Sequence, residues 1–273
     1  MTDDEVVMPA TSAQGEDAAN EPAARQGTAR RLLAVLLAFE QDTQPLSLSE
    51  AARRADLPTS TVLRMLRELC DVRFLERVDG NRYQIGARLF ELGMRAPVQR
   101  TLREVALPVM EDLYGATREN VHLGILDPDG VLVIQQLTGK RSVRTPASSG
   151  ARLPAHATAN GKTLLAFAAP QLVEQVLQRG LPRITQHTIC SRRELEEQLQ
   201  EIRERGWAMA KQENSLGTMS VGAPVIGLEG HAIASLSLVV PVNTSTEVQR
   251  FAHAVRTAAN TISRLWAHTH PLR

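Results

Sequence analysis

The sequence predicts an α+β chain of two domains, an N-terminal winged helix-turn-helix and, after a linker helix, a larger C-terminal domain that layers a sheet against helices. Three observations predict it. Leu46 to Gly86 reads as two short helices, a tight turn and a hairpin. Beyond Gly115 the pattern changes to apolar or alternating runs interleaved with helices. At 273 residues the chain is far longer than one helix-turn-helix requires.

Within the head, Ser47 and Glu50 form an S-x-x-E capping box, which starts a helix with Leu48, Ala51, Ala52 and Ala55 on its inner face. Leu57-Pro58 stops that helix, because a proline disfavours helical geometry at the residue before it. The hydroxyls of Thr59, Ser60 and Thr61 then open a second helix to about Cys70, with Val62, Leu66 and Leu69 as its buried stripe. Its opposite stripe is Ser60, Leu63, Arg64 and Arg67. Hydroxyl, apolar and guanidinium groups at that spacing suit base edges and phosphates. The contact set expected on this recognition helix is therefore Thr59, Ser60, Thr61, Leu63, Arg64 and Arg67. FLERV and RYQIG flank Asp79-Gly80, a hairpin signal, and offer Arg77 and Arg82 as phosphate contacts on a wing. The bland alternative is an αα-hairpin in an ordinary core with its arginines on a solvated face. The capped helix, proline-stopped turn, basic outer stripe and basic hairpin together favour the winged reading.

Upstream, Thr28 to Glu40 is an amphipathic helix whose Leu32, Leu33, Leu36, Leu37 and Phe39 are expected to brace the head from behind. Downstream, residues 87 to 117 read as helix interrupted at Pro97 and Pro108. Leu89, Phe90, Leu92 and Met94 give its start an apolar face that a free spacer would not carry, so dimerisation there is expected. NVHLGIL and VLVIQQL make a hairpin about Asp127-Pro128-Asp129-Gly130. Helices follow near 157 to 168, 170 to 179 and 191 to 205, the last opened by a capping box from Ser191 to Glu194. Strands are expected near 207 to 213, 220 to 226 and 231 to 240. A capping box from Thr244 to Glu247 opens a closing helix to about His268. The boundaries that result are 1–27, an acidic disordered tail; 28–86, the winged head; 87–104, the linker and dimerisation helix; and 105–273, the second domain.

Composition narrows the function classes. Residues 1 to 27 carry six acids against Arg25, whereas residues 28 to 100 carry twelve arginines against nine acids, so a net charge of +1 hides a basic head. Two cysteines, Cys70 and Cys190, make no disulfide framework. No apolar run reaches membrane-span length and the acidic start lacks the features of a signal peptide, so a cytoplasmic protein without membrane contact is expected.

Three blocks then carry a family resemblance: LPTSTVLRMLREL with NRYQIGARLFELG, LPAHATANGKTLLAF, and GWAMAKQENSLGTMSVGAPV. Over nearly everything after residue 28 the chain resembles IclR-type (isocitrate lyase regulator) transcriptional regulators, with Gly206, Glu213, Gly217, Ser220 and Gly222 in the signature places. Ala210 departs from the pattern where many members have an acid, and Gly227-Leu228 replaces an aromatic-acidic pair. The resemblance implies a GAF-like α/β sandwich that binds a small effector, linker helices that dimerise, dimers that pair into tetramers, and double-stranded operator DNA as partner. It also implies an effector pocket from the amides of Ala159 and Asn160, the position of Ala210, and the side chains of Ser220, Ser235 and Ser237. The residues agree with this. Amides where a loop enters a helix suit a carboxylate, and Ser235 and Ser237 alternate onto one strand face. Because a methyl at 210 accepts no hydrogen bond, an apolar or aromatic carboxylic acid is expected, and small keto acids such as glyoxylate are expected to bind poorly.

No cofactor, metal or catalytic set is expected. His156 lacks a nucleophile with a placed acid, and Lys162, in the first turn of a helix, reads as a salt-bridge or anion residue. His187, Cys190, His268 and His270 match no standard zinc spacing. Two other classes remain to be weighed: a small-molecule enzyme with an appended head, which requires a complete acid, base or nucleophile set, and a ligand-independent architectural DNA binder, which requires a sandwich without a pocket.

Overall fold

The computed structural model describes residues 27–40, 44–93, 97–127, 129–139, 143, 145 and 147–269. The acidic segment up to residue 26, Met94 and His270 lie outside them. The described chain forms two compact units that meet between Leu89 and Phe90.

In the first unit, α1 (Thr28–Leu37), α2 (Leu48–Ala55) and α3 (Thr59–Asp71) enclose a core with β2 (Leu75–Val78) and β3 (Arg82–Ile85). The capping box is present: the Ser47 hydroxyl accepts from the Glu50 amide, and Glu50 accepts from the Ser47 amide at 2.7 Å. Asp56, in the left-handed region at φ 52°, ends α2 before Pro58 starts the next turn. Two findings differ from the sequence reading. Leu33 and Leu37 are 57% and 61% exposed, and Val35, Ala38 and Phe39 are buried in their place. One helix face cannot hold both sets: Leu32, Val35, Leu36 and Phe39 follow the 3.6-residue period, whereas Leu33 and Leu37 fall a further 100° round the axis. A two-residue strand, β1 (Leu46–Ser47), also pairs with β3, giving the order β1-β3-β2. The wing turns through Asp79–Asn81, with Gly80 at φ 72°.

The short helix α4 (Ala87–Gly93) leaves Phe90 68% and Leu92 48% exposed, with Leu89 half-buried. After it come α5 (Pro97–Thr117), β4 (Asn120–Asp127), β5 (Gly130–Leu137), β6 (Arg152–Leu153), α6 (Ala159–Ala166), α7 (Pro170–Gln178), α8 (Arg192–Arg205), β7 (Ala208–Lys211), β8 (Thr218–Ile226), β9 (Ala232–Pro241) and α9 (Val248–Thr269). The six strands form one antiparallel sheet in the order β6-β5-β4-β9-β8-β7. Side chains alternate across it. Val121, Leu123, Val221, Ala223, Leu236 and Leu238 face α5 and α9 and build the larger core. The other face packs on α6 and α8, whose Leu164, Leu165, Leu195, Leu199 and Ile202 form a second core. This is the expected sandwich. Its closing helix starts differently from expectation: Val242–Glu247 is a 3-10 turn, and the Thr244 hydroxyl donates back to the Pro241 carbonyl at 2.6 Å.

Candidate functional site

On α3, burial of Val62, Met65, Leu66 and Leu69 turns the opposite stripe outward. Thr59, Ser60, Arg64 and Arg67 are exposed, while Thr61 and Leu63 are half-buried at its margin. Arg64 rests on Glu68 at 3.5 Å with both side chains at least half exposed. Such a pair contributes at most about 1 kcal/mol, so the guanidinium is available to a stronger anion. Arg77 donates to Asn81 across the wing turn. Arg82 is engaged within the head itself, where its Nε donates to the Pro45 carbonyl at 2.8 Å and its terminal nitrogen to Glu50 at 3.1 Å. Glu50 is thereby shared between the cap of α2 and the wing, and the Ser47 amide, then its hydroxyl, hold the Glu50 carboxyl below its usual pKa. Arg82 is first a brace between wing and α2, a contact made across 32 residues and invisible to spacing rules.

In the second unit, α6 lies directly on the sheet because two glycines admit it. A Cβ at Gly222 would stand 3.0 Å from the Ala159 backbone, and one at Gly124 would stand 3.2 Å from the side-chain nitrogen Nδ2 of Asn160. Beside that contact is a small cavity of about 40 Å³. Its floor is one patch of sheet: His122 opposite Ser237, and Ser220 opposite Val239. Thr158, Ala159 and Asn160 enter from the start of α6, Asn214, Ser215 and Thr218 from the β7–β8 connection, and Thr145, Ala147 and Leu153 from the chain before α6. None of these lining side chains carries a formal charge at neutral pH. An anion would therefore be held by hydroxyls and by the positive end of α6.

Of the sequence-chosen pocket positions, Ala159, Asn160, Ser220 and Ser237 meet here. The Ala159 amide is not open, since it donates to Ser220 Oγ at 3.3 Å, a bond at the long end of the useful range. Ala210 and Ser235 stand elsewhere. Ala210 is 3% exposed and pairs with Ser220 from β7, on the same face of the sheet but not among the lining residues. Ser235 is fully buried and donates to the Ala223 carbonyl at 3.3 Å. His122 was not singled out by the sequence reading, which saw only an apolar strand. A polar residue on the inward face of NVHLGIL was the available signal.

The connection that brings Asn214 and Ser215 is fastened by Lys162, the bulkiest fully buried side chain. Its ammonium donates to both oxygens of Glu213 at 2.6 Å and to Gln198 at 2.8 Å. Burial pushes the Lys162 pKa down and Glu213 pulls it back up. Thr185 and Thr188 donate to the Gln212 and Glu213 carbonyls, both at 2.7 Å. His156 is buried against the Pro182 carbonyl at 3.0 Å, a structural bond. Among the described residues no three of His, Cys, Asp and Glu cluster as metal ligands, and no helix is long and apolar enough to cross a membrane.

Residues 28–79 match the IclR helix-turn-helix domain, and residues 94–264 match the family described as bacterial transcriptional regulator IclR C-terminal. The chain belongs to the IclR family. It is similar to the HTH-type transcriptional regulator KdgR of Dickeya chrysanthemi, at 30% identity over 88% of this chain and 80% of that one. The HTH-type transcriptional repressor AllR of Escherichia coli K12 is 31% identical over 94% and 98%. Among solved structures, an IclR homologue from Microbacterium hydrocarbonoxydans complexed with 4-hydroxybenzoate superposes at TM-score 0.81, with 32% identity over 89% of this chain and all of that one. The IclR of Thermotoga maritima superposes at TM-score 0.70, with 27% identity over 88% and 98%. This chain is thus an IclR-family transcriptional regulator with a helix-turn-helix DNA-binding domain and a C-terminal ligand-binding domain. Its curated relatives are named as regulators, not enzymes.

Proposed function

We propose that this IclR-family regulator binds a pseudo-palindromic operator as a dimer or pair of dimers, and that a small organic acid in the C-terminal cavity changes that binding. The observation that carries the effector half is the cavity at the start of α6, walled by hydroxyls and amides and lacking a fixed charge. An architectural binder needs no such space. The ligand complex of the Microbacterium homologue supports an aromatic carboxylate as the ligand class. The acid sits with its carboxylate toward Ser220, Ser237 and the Asn160 amide at the start of α6, and its apolar body against Leu153 and Val239. Glyoxylate, which has no apolar body to set against Leu153 and Val239, binds poorly.

On the DNA side, Ser60, Arg64 and Arg67 enter the major groove, with Arg77 on a phosphate beside it. One head contacts too little duplex for specific binding, so two heads on two half-sites are required. The exposed Phe90 and Leu92 provide the subunit contact. We take 28–86 as the DNA-binding domain, 87–104 as the dimerising linker and 105–273 as the effector domain. A thermal-shift panel of benzoate, hydroxybenzoates, aliphatic acids, pyruvate and glyoxylate tests the effector half. Aromatic acids raise the melting temperature; a response to glyoxylate alone, or to neutral compounds and no acid, overturns it.

A further inference from the structure

Two polar side-chain atoms on the cavity wall are buried without a protein hydrogen-bond partner: His122 Nε2 and Asn160 Oδ1. Their residues are 2% and 3% exposed. Two buried polar side chains near them, Asn120 and Lys162, are satisfied. Asn120, one inward position before His122 on β4, donates to the Val143 carbonyl at 2.8 Å and accepts from the Gly139 amide at 2.9 Å. Lys162, two residues after Asn160, is fully paired with Glu213 and Gln198. A third unpaired atom, Thr163 Oγ1, stands against Gly222 and does not line the cavity. Folded domains rarely leave such atoms unmet, and a binding site is the setting in which a ligand completes them.

The chemistry of the two atoms restricts that ligand group. Asn160 Oδ1 accepts only, so a carboxylate cannot satisfy it. Burial holds the His122 imidazole neutral, with a pKa of about 4, so it offers a carboxylate no positive charge at neutral pH. A hydroxyl donates to Asn160 Oδ1 while accepting from His122 Nε2 when the neutral imidazole carries its proton there, and so meets both. Both residues line the same cavity, His122 opposite Ser237 on the sheet and Asn160 at the start of α6.

We propose that His122 and Asn160 read a hydroxyl on the body of the effector, separate from its carboxylate, so that this regulator responds to hydroxy-substituted aromatic acids over their unsubstituted parents. The proposal rests on the cavity being the effector site. A site built around a hydroxyl discriminates strongly against the analogue that lacks it, because the protein's own polar atoms are then left unmet.

The test is calorimetric titration of the full-length protein with benzoate and with 2-, 3- and 4-hydroxybenzoate, on wild type, His122→Phe and Asn160→Ala, each checked for folding by circular dichroism. The expected result is that at least one hydroxybenzoate binds wild type about tenfold or more tightly than benzoate. His122→Phe then narrows that gap by weakening the hydroxy acid more than benzoate, and Asn160→Ala, the second route to the same loss, narrows the gap too. If wild type binds benzoate and all hydroxybenzoates equally, or if the gap survives in both folded variants, the hydroxyl reading is overturned while the effector site stands. If no aromatic acid binds wild type at millimolar concentration, the effector reading fails and this proposal with it.

Discussion

Lys162 Nζ lies 2.6 Å from both carboxylate oxygens of Glu213, joining the first turns of α6 to the β7–β8 connection. Ala159 and Asn160 are on one side of that bond and Asn214 and Ser215 on the other, and all four face the cavity. The pair therefore fixes two walls of the cavity relative to each other. Because the side chains are 0% and 9% exposed, removing one partner strands a buried charge. Lys162→Met is expected to destabilise the protein by about 3–5 kcal/mol in urea unfolding. The double replacement Lys162→Met with Glu213→Leu should recover much of that loss. Equal destabilisation by single and double variants would show that the ion pair itself supplies the stability.

His122 gives the stability a pH dependence with a definite sign. Desolvation lowers its pKa from an ordinary 6.5 to about 4, so between those values the unfolded chain binds a proton that the folded chain does not. Stability then falls as pH drops through that window, by about 3 kcal/mol, and this contribution is flat above pH 6.5. The difference between wild type and His122→Phe, measured by urea unfolding from about pH 7.5 to about pH 4, isolates it. A difference that does not change with pH would mean that the imidazole is not held neutral by burial.

The head arginines divide by what they already touch. Arg64→Ala should weaken specific DNA binding by about 1–3 kcal/mol while leaving stability nearly unchanged. Arg77→Ala should weaken binding to all sequences and lower the salt slope by about one. Arg82→Ala should lower the melting temperature as well, since its guanidinium ties Pro45 and Glu50 to the wing. A binding loss for Arg82→Ala at unchanged melting temperature would return that residue to the simple phosphate role that spacing suggested.

Much of this was legible in the chain. Ser47 with Glu50, Pro58, and the stripe of Val62, Leu66 and Leu69 define the head through local rules that tertiary context did not override. What escaped was phase and partnership. Leu33 and Leu37 look like core until Val35 takes the buried face, because five apolar residues in one helix leave the phase open. The links Lys162 to Glu213, Arg82 to Glu50 and Ser235 to Ala223 span 51, 32 and 12 residues, and no periodicity reports them. Ser235 and Ser237 do share a strand face, yet the hydroxyl of one is consumed by the neighbouring strand and only the other reaches the cavity.

The proposed subunit contact lies on α4. Phe90 and Leu92 expose apolar surface in the single chain, whereas Leu89 is half-buried already. Phe90→Asp with Leu92→Asp should leave both units folded and shift light-scattering mass toward the monomer, because carboxylates in a subunit contact lose hydration without a partner. Specific operator affinity should fall with it. An unchanged mass would place the subunit contact elsewhere.

The central claim is that an acid in the cavity acts on DNA binding. Fluorescence anisotropy of labelled duplex from the region upstream of the protein's own gene, titrated with full-length protein with and without a saturating hydroxybenzoate, tests it most directly. Salt-sensitive binding that unrelated duplex does not match is expected, with a change in Kd of about fivefold or more, in either direction, when the acid is present. An acid that raises the melting temperature yet leaves the operator Kd unchanged, or a protein that binds unrelated duplex equally well, would contradict it.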